Sequence, residues 1–286
     1  MDRLQNNIDV LIQTRRHASN AISDILKTAN GLNEKQFADA LNTKLTSNPN
    51  LLPCGWYNPP PFGISVLAEE KNNLNRLLFD SLRKEEFWPS DYPITKDSIL
   101  FIYCSPVDKN TAVFGDIGVT VYAGEDTLII NHLQKAFNVL KQVADYCEVG
   151  MEFRDICDYA QKVFKENNVN NDRALLLTSG KDEFNLGHTV PFTHELPSKD
   201  EQNIINSGQF EAIRDLISHK RIYVGPEESF KITDNCAFTI EARLEDNDNS
   251  NCPNNFYHLI VSFKDGKKEV HDMYEPIKKA WNAKNL

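Results

Sequence analysis

The run Gly187-His188-Thr189-Val190-Pro191-Phe192-Thr193-His194-Glu195-Leu196-Pro197 sets two histidines and a carboxylate into one short segment. It is too irregular and too rich in proline to be a helix. Two imidazoles can ligate a metal, orient a substrate oxygen or shuttle protons near neutral pH, and a short loop or strand pair can present both to one cleft. The same spacing in a surface turn would carry no chemistry, so the flanking sequence has to decide between the two readings.

Upstream, the chain repeats itself faintly. Gly31 is followed by Phe37, Leu41 and Leu45, and Gly150 is followed at the same offsets by Ile156, Ala160 and Phe164, with Asp39 and Asp158 also coinciding. Apolar residues four apart after a glycine mark an amphipathic helix beyond a helix C-cap, and Asn33 with Gln36 reads as a capping box. Another helical pattern precedes each copy: Ala18, Ala21, Ile22 and Ile25 before Gly31, and Leu133, Ala136, Phe137, Leu140 and Ala144 before Gly150. Two helix-Gly-helix units imply a duplicated half-domain.

Strand patterns fill the intervals. Ile99 to Tyr103 is a short apolar run, Val113 to Tyr122 alternates Ile117, Val119 and Val121 against polar or small neighbours, and Ala237 to Ala242 and Phe256 to Phe263 follow later. The last of these closes on a hairpin-like Lys264-Asp265-Gly266-Lys267. Trp56 to Gly63 is a proline-stiffened loop whose aromatic residues Trp56, Tyr57 and Phe62 either line a pocket or pack as a lid, and Cys252-Pro253-Asn254-Asn255 ends a polar excursion. With no linker-like stretch between these elements, the expected architecture is one α+β domain over residues 1–286, its related halves covering roughly 1–110 and 111–286.

The 286 residues are 41% apolar and 10% aromatic, enough for a full core, and the formal net charge is -10. That charge, without a cluster of Lys and Arg, argues against a nucleic-acid partner. The six cysteines are scattered, without the close pairs of a zinc knuckle or the density of a disulfide scaffold, and read as reduced thiols. The N-terminal residues lack the apolar region of a signal peptide and no run approaches membrane-spanning length, so a cytoplasmic protein with no membrane partner is expected.

Three carboxylates stand out. Asp116 lies between Phe114 and Ile117, Asp126 follows the Ala123-Gly124-Glu125 turn, and Glu241 interrupts the apolar strand Phe238-Thr239-Ile240. A buried carboxylate needs a positive partner, and several converging would remain ionised only around a cation. Oxygen ligands with an imidazole suit Mn, Fe, Co or Zn.

Phe114-Gly115-Asp116-Ile117-Gly118, Glu125-Asp126-Thr127, Gly187-His188 with His194-Glu195-Leu196-Pro197, and Phe238-Thr239-Ile240-Glu241 occur in an order that resembles the pita-bread metallopeptidases. These comprise the methionine aminopeptidases, aminopeptidase P, the prolidases and the related creatinase. The resemblance implies two pseudo-symmetric halves and a curved antiparallel sheet flanked by helices. It also implies that Asp116, Asp126, His188 and Glu241 are four of five ligands of a two-metal centre. Glu241 would relay a proton, and His194 would be the second histidine, which contacts substrate. The implied reaction is hydrolysis of an amide or peptide C–N bond in a small substrate by metal-activated water.

The pattern also departs from the family. The place of the fifth ligand, a glutamate, falls on Tyr257 with His258 beside it; Thr127 is followed by Leu128 rather than arginine; and no histidine lies between His17 and His132. One divalent ion held by Asp126, His188 and Glu241, with Asp116 or His258, is therefore expected as readily as two, and a site without metal remains open. A metal-free creatinase-like enzyme and a non-catalytic binding protein are the alternative functions, and a homodimer is an allowed assembly. His219 and His271 read as structural or surface residues, Arg243 as a substrate-carboxylate contact or a partner for a neighbouring acid, and Cys236 as packing.

Overall fold

The computed structural model describes residues 3–54, 60–71, 74, 76–77, 82–171 and 185–286. Helices α1 (Arg3–Leu26) and α2 (Glu34–Thr46) are followed by strands β1 (Leu51–Leu52), β2 (Ser65–Glu69), β3 (Ile99–Cys104), β4 (Val107–Asp108) and β5 (Ile117–Tyr122). Helices α3 (Thr127–Tyr146) and α4 (Phe153–Glu166) lead to β6 (Val169–Asn170), α5 (Lys199–Ser207) and α6 (Phe210–Lys220). Strands β7 (Cys236–Ala242), β8 (Glu245–Asp246), β9 (Tyr257–Lys264) and β10 (Lys267–His271) and helix α7 (Glu275–Trp281) complete the chain. Trp56 and Tyr57, in the proline-stiffened loop, lie outside the described residues.

The two helix-Gly-helix units are bonded alike. Gly31 and Gly150 both adopt positive φ, 95° and 90°, which an L side chain rarely takes. Gly31 N–H donates to the Ile94 carbonyl (3.0 Å) and Gly150 N–H to that of Ile232 (2.8 Å). Ile94 N–H returns a bond to Leu32 (2.7 Å) and Ile232 N–H one to Met151 (2.9 Å). Glu34 to Tyr92 and Phe153 to Phe230 continue the same ladder. Asn33 and Gln36 cap α2 reciprocally, and Asp155 accepts from Glu152 at the start of α4. The apolar faces of both helices are buried, Phe37, Leu41 and Leu45 in one and Ile156, Ala160 and Phe164 in the other. Each large side chain so buried contributes roughly 1.5–3 kcal/mol.

The expected curved sheet is realised as two three-stranded antiparallel sheets, β2-β3-β5 and β10-β9-β7, with two small ribbons, β1-β4 and β6-β8. Side chains rather than a backbone ladder join β5 to β9. Thr120 Oγ1 donates to the Phe256 carbonyl (3.3 Å) and accepts from Phe256 N–H (2.9 Å). The Tyr274 hydroxyl lies 2.7 Å from the Gly118 carbonyl and 2.8 Å from that of His258. The hairpin between β9 and β10 turns at Asp265 and Gly266, φ 52° and 74°, as a two-residue loop with left-handed centres requires. Five of the six free thiols are buried and Cys252 is partly exposed. Among the described residues no helix is long and apolar enough to cross a membrane.

Candidate metal centre

The segment around His188 lies as an extra strand against the free edge of β7. Glu241 N–H donates to the Leu186 carbonyl, Thr239 N–H to that of His188 and Val190 N–H to that of Ala237, each at 2.8 Å. Gly187 makes this possible: its φ is 137°, and a Cβ there would collide with the Thr239 carbonyl. The His188 N–H meets Thr239 Oγ1 at 2.9 Å, and its Nδ1 lies 3.1 Å from the Thr189 carbonyl. A carbonyl only accepts, so Nδ1 carries the proton and Nε2 presents a lone pair.

That nitrogen faces a cluster drawn from both sheets. His188 Nε2 is 3.6 Å from Asp116 Oδ2 and 3.8 Å from Glu241 Oε1. Glu241 and His258 are cross-strand partners on β7 and β9, which sends their side chains to one face, where His258 Nε2 lies 2.9 Å from Glu241 Oε2 and 4.0 Å from Asp116 Oδ2. Asp116, His188 and His258 are fully or almost fully buried, and the Glu241 side chain keeps 16% exposure, so solvent reaches the cluster past Glu241.

Three residues not flagged by the sequence complete the shell. Tyr103 donates to Asp116 Oδ1 at 3.2 Å. Arg15, buried in the middle of α1, donates to the carbonyls of Asp116, His258 and Asp272 and comes within 3.5 Å of His258 Nδ1. Arg221 lies under the Tyr223 ring, 5.4 Å from its centroid, where its charge acts on Asp116, Glu241 and His188. A cation at a core-facing helical position was the available signal for Arg15; for Tyr103, in an apolar strand, there was none.

Burial sets the protonation states first. It lowers the His188 imidazole to about 4, leaving it neutral at pH 7. Burial alone would raise the Glu241 carboxyl, but His258, His188 and Arg221 outweigh it and hold the group at about 2. The Tyr103 phenol is pushed far up by burial and by the Asp116 charge, so it remains a donor.

Asp126, expected as a ligand, makes capping and ion-pair contacts instead. It is the N-cap of α3, accepting from Leu128 and Ile129 N–H at 2.9 and 3.4 Å, and it pairs with Lys71. An Asp directly before an apolar helical run satisfies orphan N–H groups, and that local demand engages this carboxylate. Tyr257 is turned away, its hydroxyl accepting from Asn285 Nδ2 at 2.8 Å, which leaves His258 as the β9 residue facing Glu241. His194 packs edge-on to Phe230, with ring centroids 5.0 Å apart, and its Nδ1 has no hydrogen-bond partner among the described residues. His219 is exposed, and His271 lies 3.0 Å from Ser262 Oγ.

The donor set fits one divalent ion. Ligating atoms of Asp116, His188 and His258 lie within 4.8 Å of one another. Tetrahedral coordination by nitrogen and oxygen sets such atoms about 3.3 Å apart, so a small contraction would close the shell, with Glu241 at its edge. Two dications are a poor fit. The described cluster offers only the carboxylates Asp116 and Glu241, already faced by the guanidinium charges of Arg15 and Arg221.

No family model matches this sequence, and no curated protein is significantly similar to it. Solved structures are similar in fold. The methionine aminopeptidase from Rickettsia prowazekii superposes with a TM-score of 0.60 at 12% identity, over 93% of this chain and 96% of that one. The X-Pro aminopeptidase from Thermotoga maritima gives 0.59 at 13% identity, over 93% of this chain and 60% of that one. The Asp260Ala form of Escherichia coli aminopeptidase P gives 0.61 at 9% identity, over 96% and 57%. The chain thus spans about 60% of the length of the X-Pro aminopeptidase and nearly all of the methionine aminopeptidase. By fold, this chain is a pita-bread protein, divergent in sequence from the metallopeptidases that share its architecture.

Proposed function

We propose that this chain is a hydrolase of a small peptide or amide that works with one divalent cation held by Asp116, His188, His258 and Glu241. The observation that carries the reading is the convergence of two imidazoles and two carboxylates from separate segments on one cluster, which Glu241 leaves partly open. Bound there, the cation would acidify a water molecule and polarise a carbonyl. The protein's own residues do the rest. Glu241, kept ionised and the most exposed of the four, takes a proton at a carboxylate oxygen and returns it to the leaving amine. Tyr103 holds the Asp116 carboxylate, Arg15 holds the backbone carbonyls of Asp116 and His258, and we assign His194, through its unpartnered Nδ1, to substrate contact.

One observation favours a second reading, a site that functions without metal. Arg15 and Arg221 already balance the charges of Asp116 and Glu241, as a metal-free enzyme or a binding protein on this fold would need. Incubating the full chain with dipeptides, X-Pro peptides and methionyl peptides in the presence of Mn or Co separates the two. The hydrolase reading expects amine release that a chelator and Glu241→Gln abolish. Release that is indifferent to chelator supports the metal-free enzyme. A bound metal with no release from any peptide overturns the hydrolase reading.

A further inference from the structure

A second group of metal-ligating atoms lies outside the Asp116 centre and shares no residue with it. His132 of α3, Asp246 of β8 and Cys252 of the following loop bring a ring nitrogen, a carboxylate oxygen and a sulfur within 4.8 Å of one another. Each is anchored separately. His132 is on the buried face of α3, Asp246 is paired to Val169 of β6, and Cys252 N–H donates to the Asn249 carbonyl at 3.1 Å.

The histidine indicates the chemistry. His132 is 3% exposed, and its Nε2 lies 3.0 Å from the Pro253 carbonyl, which can only accept, so the ring proton sits there. Asn255 Nδ2, 3.1 Å from the same nitrogen, sends a hydrogen to the Leu244 carbonyl at 2.6 Å. Nδ1 is left as a buried lone pair without a hydrogen-bond partner, 4.0 Å from Asp246 Oδ2. A ligating histidine is ordinarily held in this way, its second nitrogen donating to a backbone carbonyl.

Thiol, imidazole and carboxylate also describe a cysteine nucleophile with its base. That arrangement needs the carboxylate on one ring nitrogen and a bare lone pair on the other to take the thiol proton. Here the nitrogen opposite Asp246 already donates to Pro253, so the set is better suited to a cation. Lys135 Nζ, 2.6 Å from Asp246 Oδ2 and one-third exposed, supplies a positive charge at that place and can swing out to solvent. Beside the three ligands a pocket of about 310 Å³, lined also by Leu128, Asn131 and Asn249, has room for water as a further ligand.

We propose that His132, Asp246 and Cys252 form a second cation site, selective for a zinc-like divalent ion that accepts nitrogen, oxygen and sulfur together. Such a donor set disfavours Mg and Ca, which take oxygen ligands. Tetrahedral coordination would bring the ligand atoms to about 3.3–3.6 Å from one another, a contraction of up to about 1.5 Å that the partly exposed Cys252 loop can supply. Burial and the Asp246 charge favour the Cys252 thiol in the free protein, so binding forms the metal–sulfur bond and releases the Sγ proton to water.

Cobalt(II) titrated into the full chain reads the site directly, because a thiolate ligand gives a near-ultraviolet sulfur-to-metal charge-transfer band. The band is expected to appear in the wild type, to saturate at one equivalent in His258→Ala, where the Asp116 centre no longer competes, and to compete away with zinc. In Cys252→Ser it should vanish, with affinity falling by at least about 100-fold. Lys135→Gln, which removes the competing ammonium, should tighten binding several-fold and gives a second arm independent of the cysteine. A band absent from both the wild type and Lys135→Gln, or one that survives Cys252→Ser, overturns the site. Failure of peptide hydrolysis at the Asp116 centre would leave it untouched.

Discussion

Tyr103 donates its phenolic hydrogen to Asp116, Oη to Oδ1 at 3.2 Å, so the group reaching Asp116 from β3 is a neutral donor rather than a second carboxylate. A phenol there satisfies a buried oxygen but cannot bridge two dications. Tyr103→Phe should lower stability by about 1–3 kcal/mol, the usual effect of removing one partner from a buried polar group, read as a shifted urea midpoint. Bound metal per chain should not change.

Asp126→Ala separates helix capping from ligation. The structure places this carboxylate at the N-cap of α3, so the variant should lose about 1 kcal/mol of stability and keep its metal. His258→Ala should do the reverse at the Asp116 centre and release the ion. Calorimetry paired with elemental analysis on both variants checks the distinction.

Gly187→Ala and Gly31→Ala both place a side chain at positive φ, but only the first meets an obstacle, the Thr239 carbonyl. Gly31→Ala should cost about 1 kcal/mol, the backbone penalty alone. Gly187→Ala should cost clearly more and displace His188, so that metal affinity falls along with the thermal midpoint.

Glu69, a member of neither cluster, predicts a pH dependence. Burial first, and Glu34 in addition, outweigh the Leu77 N–H and Arg76 and raise its carboxyl to about 8. The folded protein therefore holds a proton that the unfolded chain has lost above about 4.5. Stability from this group is complete below that pH and declines as pH rises toward 8, by at most about 1.4 kcal/mol per unit. Glu69→Gln should flatten the decline. Urea midpoints at pH 5 and pH 8.5 for both proteins would contradict this if wild type and variant ran parallel.

What was legible in the sequence was local. The glycines at 31 and 150, the four long strands and the Gly187-His188 and Phe238–Glu241 segments each carry their signal in a few neighbouring residues, and the structure places them as that signal implies. Asp126 was ambiguous because an Asp-Thr before Leu128-Ile129-Ile130 is a motif fragment and a helix start in the same letters. His258 was ambiguous because side chains alternate along β9, and only the register Glu241 to His258, set by pairing between strands, decides which of Tyr257 and His258 faces the site. Arg15 reaches the cluster from 101 and 243 positions away along the chain, a relation that no local pattern carries.

The most direct test is the metal content of the Cys252→Ser chain, purified without chelator and dialysed against Mn, Co or Zn, which removes any contribution from the second cluster. One equivalent per chain, lost on replacing His188 and His258 together with alanine, is the predicted result. No bound ion under any of the three metals, or one equivalent that the double replacement leaves in place, would contradict the account.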